Sequence, residues 1–368
     1  MTATGLRFDT AEKRWAGIGP YYAMFPTRFA DEVIRQYTEP GDLVLDPFAG
    51  RSTAVYSAAT QGRVGVGIEL NPVGWVYGKA KLSPGPQRTV EQRLAKLATA
   101  ASGYASTATE MPEFFHYCFS RDVRRFLLAA RSMLDWRRRA TDWTLMALLL
   151  VYLHGKRHDS LSNQMRQTKA MSPEYAIRWW RDRGLTPPEV NPVEFMQKRI
   201  KWRYSKGRPK TTKSRVYLGE CTELLTRLRG GVLKERSVRL LLTSPPYFGV
   251  TNYHYDQWIR LWLLGFSPEP NSRMGRHRER FQDPSRYVSL LNTAFRKAAS
   301  LLADDGIAYV RTDTREFTYC ITLEILGDVF PGKRLTVLDR PLSRSTQTHL
   351  FGVVSNSKGE VDLVLEPA

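Results

Sequence analysis

A doubly wound α/β fold is what the sequence predicts: a mostly parallel sheet of seven strands, split by a large helical insertion. Three observations carry this. Apolar runs such as LVLDPFAG (43–50) and VRLLLTSPP (238–246) read as buried strands that end abruptly in turn chemistry at the rim of a sheet. Helical periodicity separates most such runs, which favours parallel pairing through right-handed crossovers. The alternation then stops between Val73 and Ser214, where roughly 140 residues rich in Trp and Arg read as helical.

Taken in order, YYAMFPTRFADEVIRQY (21–37) has helical spacing, with Phe29, Val33, Ile34 and Tyr37 on one side. A turn at Pro40-Gly41 leads into a strand at Leu43–Leu45 and a tight Gly-containing loop. TAVYSAATQG (53–62) reads as a helix closed by Gly62, and RVGVGIELNP (63–72) as a second strand. In the insertion, breaks fall at Pro84-Gly85-Pro86, Pro173 and Pro187-Pro188. WTLMALLLVYL (143–153) is too short to span a bilayer and reads as a buried helix. Alternation resumes with strand RVYLGE (215–220), helix CTELLTRLRG (221–230) and the strand that ends in Ser-Pro-Pro. Helix 284–305, strand 306–313, helix 317–330 and strands 334–340 and 360–367 complete the pattern. The expected domains are residues 1–82 and 214–368 as two parts of one α/β domain, with 83–213 as the insertion.

The 368 residues suffice for a substantial core. Fifty-five Lys and Arg against 36 Asp and Glu leave a formal charge of +19, which favours a polyanionic partner, nucleic acid first. Three cysteines without metal-ligand spacing and six scattered histidines argue against a structural zinc. The first residues lack the apolar core of a signal peptide, so a reducing cytoplasm is the expected location.

In an open α/β sheet, ligands sit beyond the carboxyl ends of the strands at the topological switch point. Three groups fall there. Asp46–Thr53, DPFAGRST, combines a tight glycine bend with a helix N-terminus. Glu69 ends the next strand 19 residues past Gly50, near the spacing of about 20 at which an acid holds a ribose. Ser244-Pro245-Pro246-Tyr247 is the third. Its stiff corner fixes the Ser244 hydroxyl and the Pro245 carbonyl as acceptors and offers Tyr247 for stacking. Acceptors suit an exocyclic amine; the ring suits a nucleobase face.

Together these groups resemble the S-adenosylmethionine-dependent amino-methyltransferases of DNA, which modify cytosine N4 or adenine N6. The resemblance covers roughly 14–82 and 214–368 and implies a Rossmann-like methyltransferase sheet. Asp46, Pro47, Phe48, Ala49 and Gly50 match the family's cofactor loop, continued by Ser52 and Thr53, with Ser52 in place of a usual glycine. Tyr22, Phe25, Pro26 and Thr27 fall in its N-terminal cofactor motif, and Glu69, Leu70 and Asn71 at its ribose-binding acid. YLGECTELL (217–225) looks like the family's Gly-Asp element ahead of the catalytic strand, which implies Glu220 near the cofactor adenine with Cys221 beside it, Glu220 standing where aspartate is more typical. Ser244, Pro245, Pro246 and Tyr247 match the catalytic tetrapeptide, and its opening serine leans toward cytosine.

The resemblance implies methyl transfer from S-adenosylmethionine to N4 of a flipped-out cytosine in duplex DNA, with N6-adenine as the alternative. Methylation of structured RNA and an inactive DNA-binding module remain as further alternatives. Cytosine C5 chemistry lacks its nucleophile, because none of Cys118, Cys221 and Cys320 follows a proline. Double-stranded DNA is the implied partner, with a cognate restriction endonuclease as an optional second and no membrane. KRIKWRYSKGRPKTTKSR (198–215) holds nine basic residues and no acid, so Lys198, Arg199, Lys201, Arg203, Lys206, Arg208 and Lys210 are candidate phosphate contacts. In the polar loop 154–169, Lys156 and Arg157 add charge, while Asn163, Gln164 and Arg166 are side-chain types suited to base edges. His254 and Asp256, just past the corner, have no assigned role.

Overall fold

The computed structural model describes residues 8–20, 25–249, 253–270, 281–341 and 359–368, with side chains for all of these but 253, 254, 340 and 341. Tyr22 lies outside the described residues, as does the side chain of His254.

Two compact units emerge, and each interleaves distant parts of the chain. The sheet unit comprises the described residues within Tyr22–Trp75, Thr211–Asn252 and Arg273–Ala368. Its seven strands are β1 (Leu43–Asp46), β2 (Val64–Glu69), β3 (Arg215–Leu218), β4 (Val238–Thr243), β5 (Leu302–Asp313), β6 (Lys333–Pro341) and β7 (Gly359–Pro367). They lie in the order β3-β2-β1-β4-β5-β7-β6. The first five are mutually parallel, and β7 runs antiparallel to both β5 and β6. This is the doubly wound, mostly parallel sheet that the alternation predicts. Its switch point lies between β1 and β4, where chain order reverses direction.

Side-chain alternation divides the core between the two faces. Leu45, Leu241, Val310 and Leu363 belong to one apolar cluster with Tyr287, Leu291 and Phe295 of helix Pro284–Ala299. Their neighbours Val44, Leu240, Tyr309 and Val364 join the other, with Ala30, Val33 and Ile34 of helix Thr27–Tyr37. Both faces are covered, which is why these strands read as continuous apolar runs. Helix Pro284–Ala299 ends earlier than the expected 305, and β5 starts at Leu302. Asp304 and Asp305 would sit against the negative end of the helix dipole, whereas Leu302 pairs with Val238 on β4.

The helical unit comprises the described residues within Met1–Tyr21, Val76–Lys210 and Tyr253–Ser272, so it reaches beyond the expected 83–213. Residues 253–270 join it for an apolar reason. Trp258 and Trp262 of helix Trp258–Leu263 pack on Phe115, with ring centroids 6.2 and 4.6 Å away. Arg260, fully buried, donates to the carbonyls of Leu150 and Gln167 and to Gln257 Oε1. Helix Ala140–Tyr152 is buried on nearly every side, as WTLMALLLVYL suggests. No helix among the described residues is long and apolar enough to cross a membrane.

Candidate active site

Two loops leave the carboxyl ends of the adjacent parallel strands β1 and β4, and one hydrogen bond ties their roots together. Thr243 Oγ1, at the end of β4, donates to Asp46 Oδ1 at the end of β1 over 2.7 Å. Asp46 is 2% exposed and also accepts the Phe48 amide at 3.1 Å. Burial outweighs these bonds and pushes its carboxyl up to about 7. Asp46 therefore carries a proton at neutral pH far more readily than an exposed carboxylate.

The loop after Asp46 turns through two left-handed residues, Gly50 at φ 52° and Ser52 at φ 61°. Glycine accepts that conformation freely; serine does so under strain, held here by the hydrogen bond its backbone N–H donates to the Ala49 carbonyl. Ser52 Oγ is buried without a hydrogen-bond partner, an orphaned polar atom inside the bend. Helix Thr53–Thr60 starts immediately afterwards. Helix Pro72–Leu82 presses on the same loop, since a Cβ at Gly74 would lie 2.5 Å from the Gly50 carbonyl oxygen.

Glu69, at the end of β2, is 8% exposed and accepts the Asn71 amide at 2.7 Å. Asn71 Oδ1 in turn accepts the Val73 amide, which caps helix Pro72–Leu82. Glu220 is the N-cap of helix Cys221–Leu228, and its Oε2 accepts the Glu223 amide and the Thr222 hydroxyl. The cap engages Oε2, while Oε1 accepts the thiol of the buried Cys221 at 3.5 Å. Pro26 stands at the N-cap position before Thr27, and Phe25 packs into the core.

At the β4 rim, the prolines of Ser244–Tyr247 end the strand and Tyr287 locks the corner by donating to the Pro246 carbonyl at 2.9 Å. Ser244 Oγ donates to Tyr247 Oη at 3.3 Å, and Tyr247 Oη donates to Glu360 Oε1 on β7 at 3.2 Å. Behind Glu360 stands Arg311 of β5, with a paired grip on Asp362: Nε to Oδ1 at 2.6 Å and Nη2 to Oδ2 at 2.9 Å. Tyr309 donates to Asp362 as well, and the Arg311 guanidinium stacks 3.6 Å from the Phe29 ring centroid. Burial raises the Tyr247 phenol well above its ordinary value, helped by the Glu360 charge. Burial also raises Glu360 and Asp313, against the opposing pull of Arg311 and Arg315 respectively.

The structure thus gathers Asp46, Gly50, Ser52 and the Ser244–Tyr247 corner at neighbouring strand ends, with Glu69 one strand further along the same rim. The sequence reading missed Thr243, Arg311, Glu360 and Asp362. A signal existed: YVRTD and EVDLV each place two charged or polar-paired residues, two apart, within an otherwise apolar strand.

In the helical unit two expectations are corrected. Asn163 is fully buried, its amide donating to the carbonyls of Tyr117 and Leu185, so it has no edge to offer a base. Arg203 is 3% exposed and donates to the Arg14 carbonyl, so it cannot reach a phosphate. Gln164 Oε1 is engaged by the Arg157 amide, and Arg157 reaches the Thr186 carbonyl. Arg199 stacks on Tyr152 and Phe195. Lys156, Arg166, Lys198, Lys201, Lys206, Arg208 and Lys210 are exposed. Asp256 is paired with Lys169 at 2.8 Å, and its backbone carbonyl accepts the Ala170 amide.

Residues 7–73 match the DNA methylase family model. That segment holds β1, the glycine loop, β2 and Glu69, and stops short of the Ser244 corner. The chain is 46% identical over 54 residues to the type II methyltransferase M.Cfr9I of Citrobacter freundii, 15% of this chain and 18% of that relative. It is 33% identical over 88 residues to the DNA adenine methyltransferase YhdJ of Escherichia coli K12, covering 24% and 30%. The matched stretch thus spans less than a third of either relative. A TehB-like S-adenosylmethionine-dependent methyltransferase from Corynebacterium glutamicum superposes with a TM-score of 0.33 at 9% identity, over 92% of this chain and 87% of that one.

Proposed function

We propose that the protein is an S-adenosylmethionine-dependent DNA methyltransferase acting on an exocyclic amine, with cytosine N4 as its target. The observation that carries this reading is the bond between Thr243 and Asp46, which sets the Ser244–Tyr247 corner beside the glycine loop at the switch point of the sheet. The match over residues 7–73 supports the methylase class.

The residues at the rim fit the methyl donor. Asp46 supplies a buried carboxyl for a cationic group, Glu69 a carboxylate for a ribose diol, and the bend at Gly50 and Ser52 a cradle that leaves one hydroxyl unpaired. When bound, the donor contributes an electrophilic methyl group on a sulfonium. The chain's own residues do the rest. Aryl amines are poor nucleophiles because their lone pair is delocalised into the ring, so acceptors at Ser244 Oγ and the Pro245 carbonyl hold the N–H groups and favour the pyramidal amine. Tyr247 stacks on the base. A duplex base reaches this corner only by leaving the helix, at a cost of about a few kcal/mol. Exposed cations of the helical unit, Lys198, Lys201, Lys206, Arg208 and Lys210, recover that cost at phosphates.

The test is methyl transfer. The full chain is incubated with labelled S-adenosylmethionine and unmethylated genomic DNA, and the nucleosides are separated by mass spectrometry. N4-methylcytosine is the expected product. N6-methyladenine alone would reassign the base, a second reading favoured by the similarity to YhdJ. Label in RNA and none in DNA overturns the proposal.

A further inference from the structure

The chain Ser244–Tyr247–Glu360 has a direction. A carboxylate only accepts, so Glu360 Oε1 takes the Tyr247 proton at 3.2 Å; the phenol oxygen then accepts from Ser244 Oγ at 3.3 Å. Ser244 has thereby used its one donor, and both its remaining lone pairs can face an incoming amine. Without the charge at residue 360 the order can invert, and Ser244 becomes a donor to the group it should accept from.

Glu360 is not explained as a partner of Arg311. Asp362 already holds that guanidinium with two bonds, at 2.6 and 2.9 Å, while Glu360 Oε2 stands 3.5 Å from Nη1. Oε1 is turned to the phenol instead. The groups facing Glu360 are Arg311 and Asp313 of β5, Asp362 of its own strand, and Tyr247. Burial nevertheless makes it a readier proton acceptor than an exposed glutamate.

We infer that Glu360 is a positioning residue and the terminus of a proton relay, through Tyr247 and Ser244, for the amine that is methylated. This rests on the methyltransferase reading above. The amine lone pair forms the new N–C bond as the methyl–sulfur bond breaks with its electron pair going to sulfur, which leaves nitrogen with one positive charge and one proton to lose. That proton passes to Ser244 Oγ as the serine proton passes to Tyr247 Oη and the phenol proton to the Glu360 carboxylate, which later releases it to water. Every oxygen returns to its starting state.

The experiment compares wild type, Glu360→Gln, Glu360→Asp and Tyr247→Phe. Glu360→Gln is expected to lower kcat about 100-fold, the scale of a lost general base, with the affinities for S-adenosylmethionine and DNA unchanged. Glu360→Asp is expected to recover part of the loss. In Tyr247→Phe the further change Glu360→Gln is expected to cost little, because the link is already cut. Independently of turnover, the 13Cζ resonance of Tyr247 in the cofactor-free protein, assigned by its loss in Tyr247→Phe, is expected to move in Glu360→Gln. An unmoved resonance and a kcat within a few-fold of wild type overturn the relay. Wild type that methylates no DNA overturns the functional reading as well, while the resonance still reports whether Glu360 holds the phenol. Equal melting temperatures for wild type and Glu360→Gln exclude misfolding as the cause of a loss.

Discussion

The two sides of the same sheet rim are built by different means. Around β1, β2 and β3 the site is mostly local, the Thr243–Asp46 bond apart: Asp46 bonds Phe48, Glu69 bonds Asn71, Asn71 bonds Val73, and Glu220 bonds Glu223, each within three residues. Around β4, β5 and β7 it is long-range: Tyr287 reaches back 41 residues to Pro246, Arg311 forward 51 to Asp362, and Tyr247 forward 113 to Glu360. Local caps shape a loop without holding the sheet together. The long-range bonds tie the corner to a helix and to β7, and β5 to β7, so there the same contacts hold the fold and fix the proposed catalytic corner.

The sharpest break of that contrast is Arg311→Met. Asp362 is fully buried, and removing its partner leaves a carboxylate with no compensating charge, at a cost of about 3–5 kcal/mol. Denaturant unfolding should show the loss in the midpoint. If Arg311→Met unfolds at the wild-type midpoint, the strands at this rim are held by packing alone and the contrast fails.

Legibility in the sequence follows the same line. Gly50, Glu69 and the Ser-Pro-Pro-Tyr corner could be read because glycine, strand-end acids and proline act over a few residues and leave a pattern in the string. The central strands β1 and β4 were legible because both faces of the sheet are buried there, so each is a nearly continuous apolar run. Glu360 and Arg311 were not, since nothing within either segment says which strand pairs with which; only the β5–β7 register brings Asp313 opposite Glu360 and Arg311 opposite Asp362. Asn163 misled for the converse reason. An amide suited to a base edge is equally suited to two backbone carbonyls, and only burial decides between them. The structure groups residues 253–270 with the helical unit through aromatic packing on Phe115, which has no local signature in the sequence.

On the local side, loss of an acceptor should appear in binding and spare the fold. Glu69→Ala removes the acceptor proposed for the ribose, so S-adenosylmethionine affinity should fall about 10–100-fold, the worth of a charged hydrogen bond. Calorimetry of the cofactor measures this, and kcat at saturating cofactor should stay near wild type. Loss of kcat with unchanged affinity would move Glu69 out of the cofactor site. Gly74→Ala is a milder test. Alanine ordinarily gains about 0.5–1 kcal/mol over glycine in a helix, but its Cβ would stand 2.5 Å from the Gly50 carbonyl. Backbone cannot yield as a flexible side chain can, and overpacking costs about 1–3 kcal/mol, so a net loss of about 1–2 kcal/mol is expected. An unchanged or raised unfolding free energy would mean that the loop yields freely.

The smallest effect concerns Asp46, where the two sides meet through Thr243. Burial raises its carboxyl to about 7, so in the free protein it is mostly protonated at pH 6 and mostly ionised at pH 8. A cationic donor beside it favours the carboxylate and lowers that value, so binding must expel a proton wherever the free protein holds one. The sign follows: affinity for S-adenosylmethionine rises with pH, by about tenfold from pH 6 to 8, and levels off above about 7. Calorimetry near pH 7 in two buffers of different ionisation enthalpy should register release of a fraction of a proton. Asp46→Asn, which cannot ionise, should bind more weakly and lose both the slope and the released proton. Proton uptake in place of release would mean that the donor's cation faces away from Asp46, and the glycine loop would have to hold it by backbone and helix terminus alone.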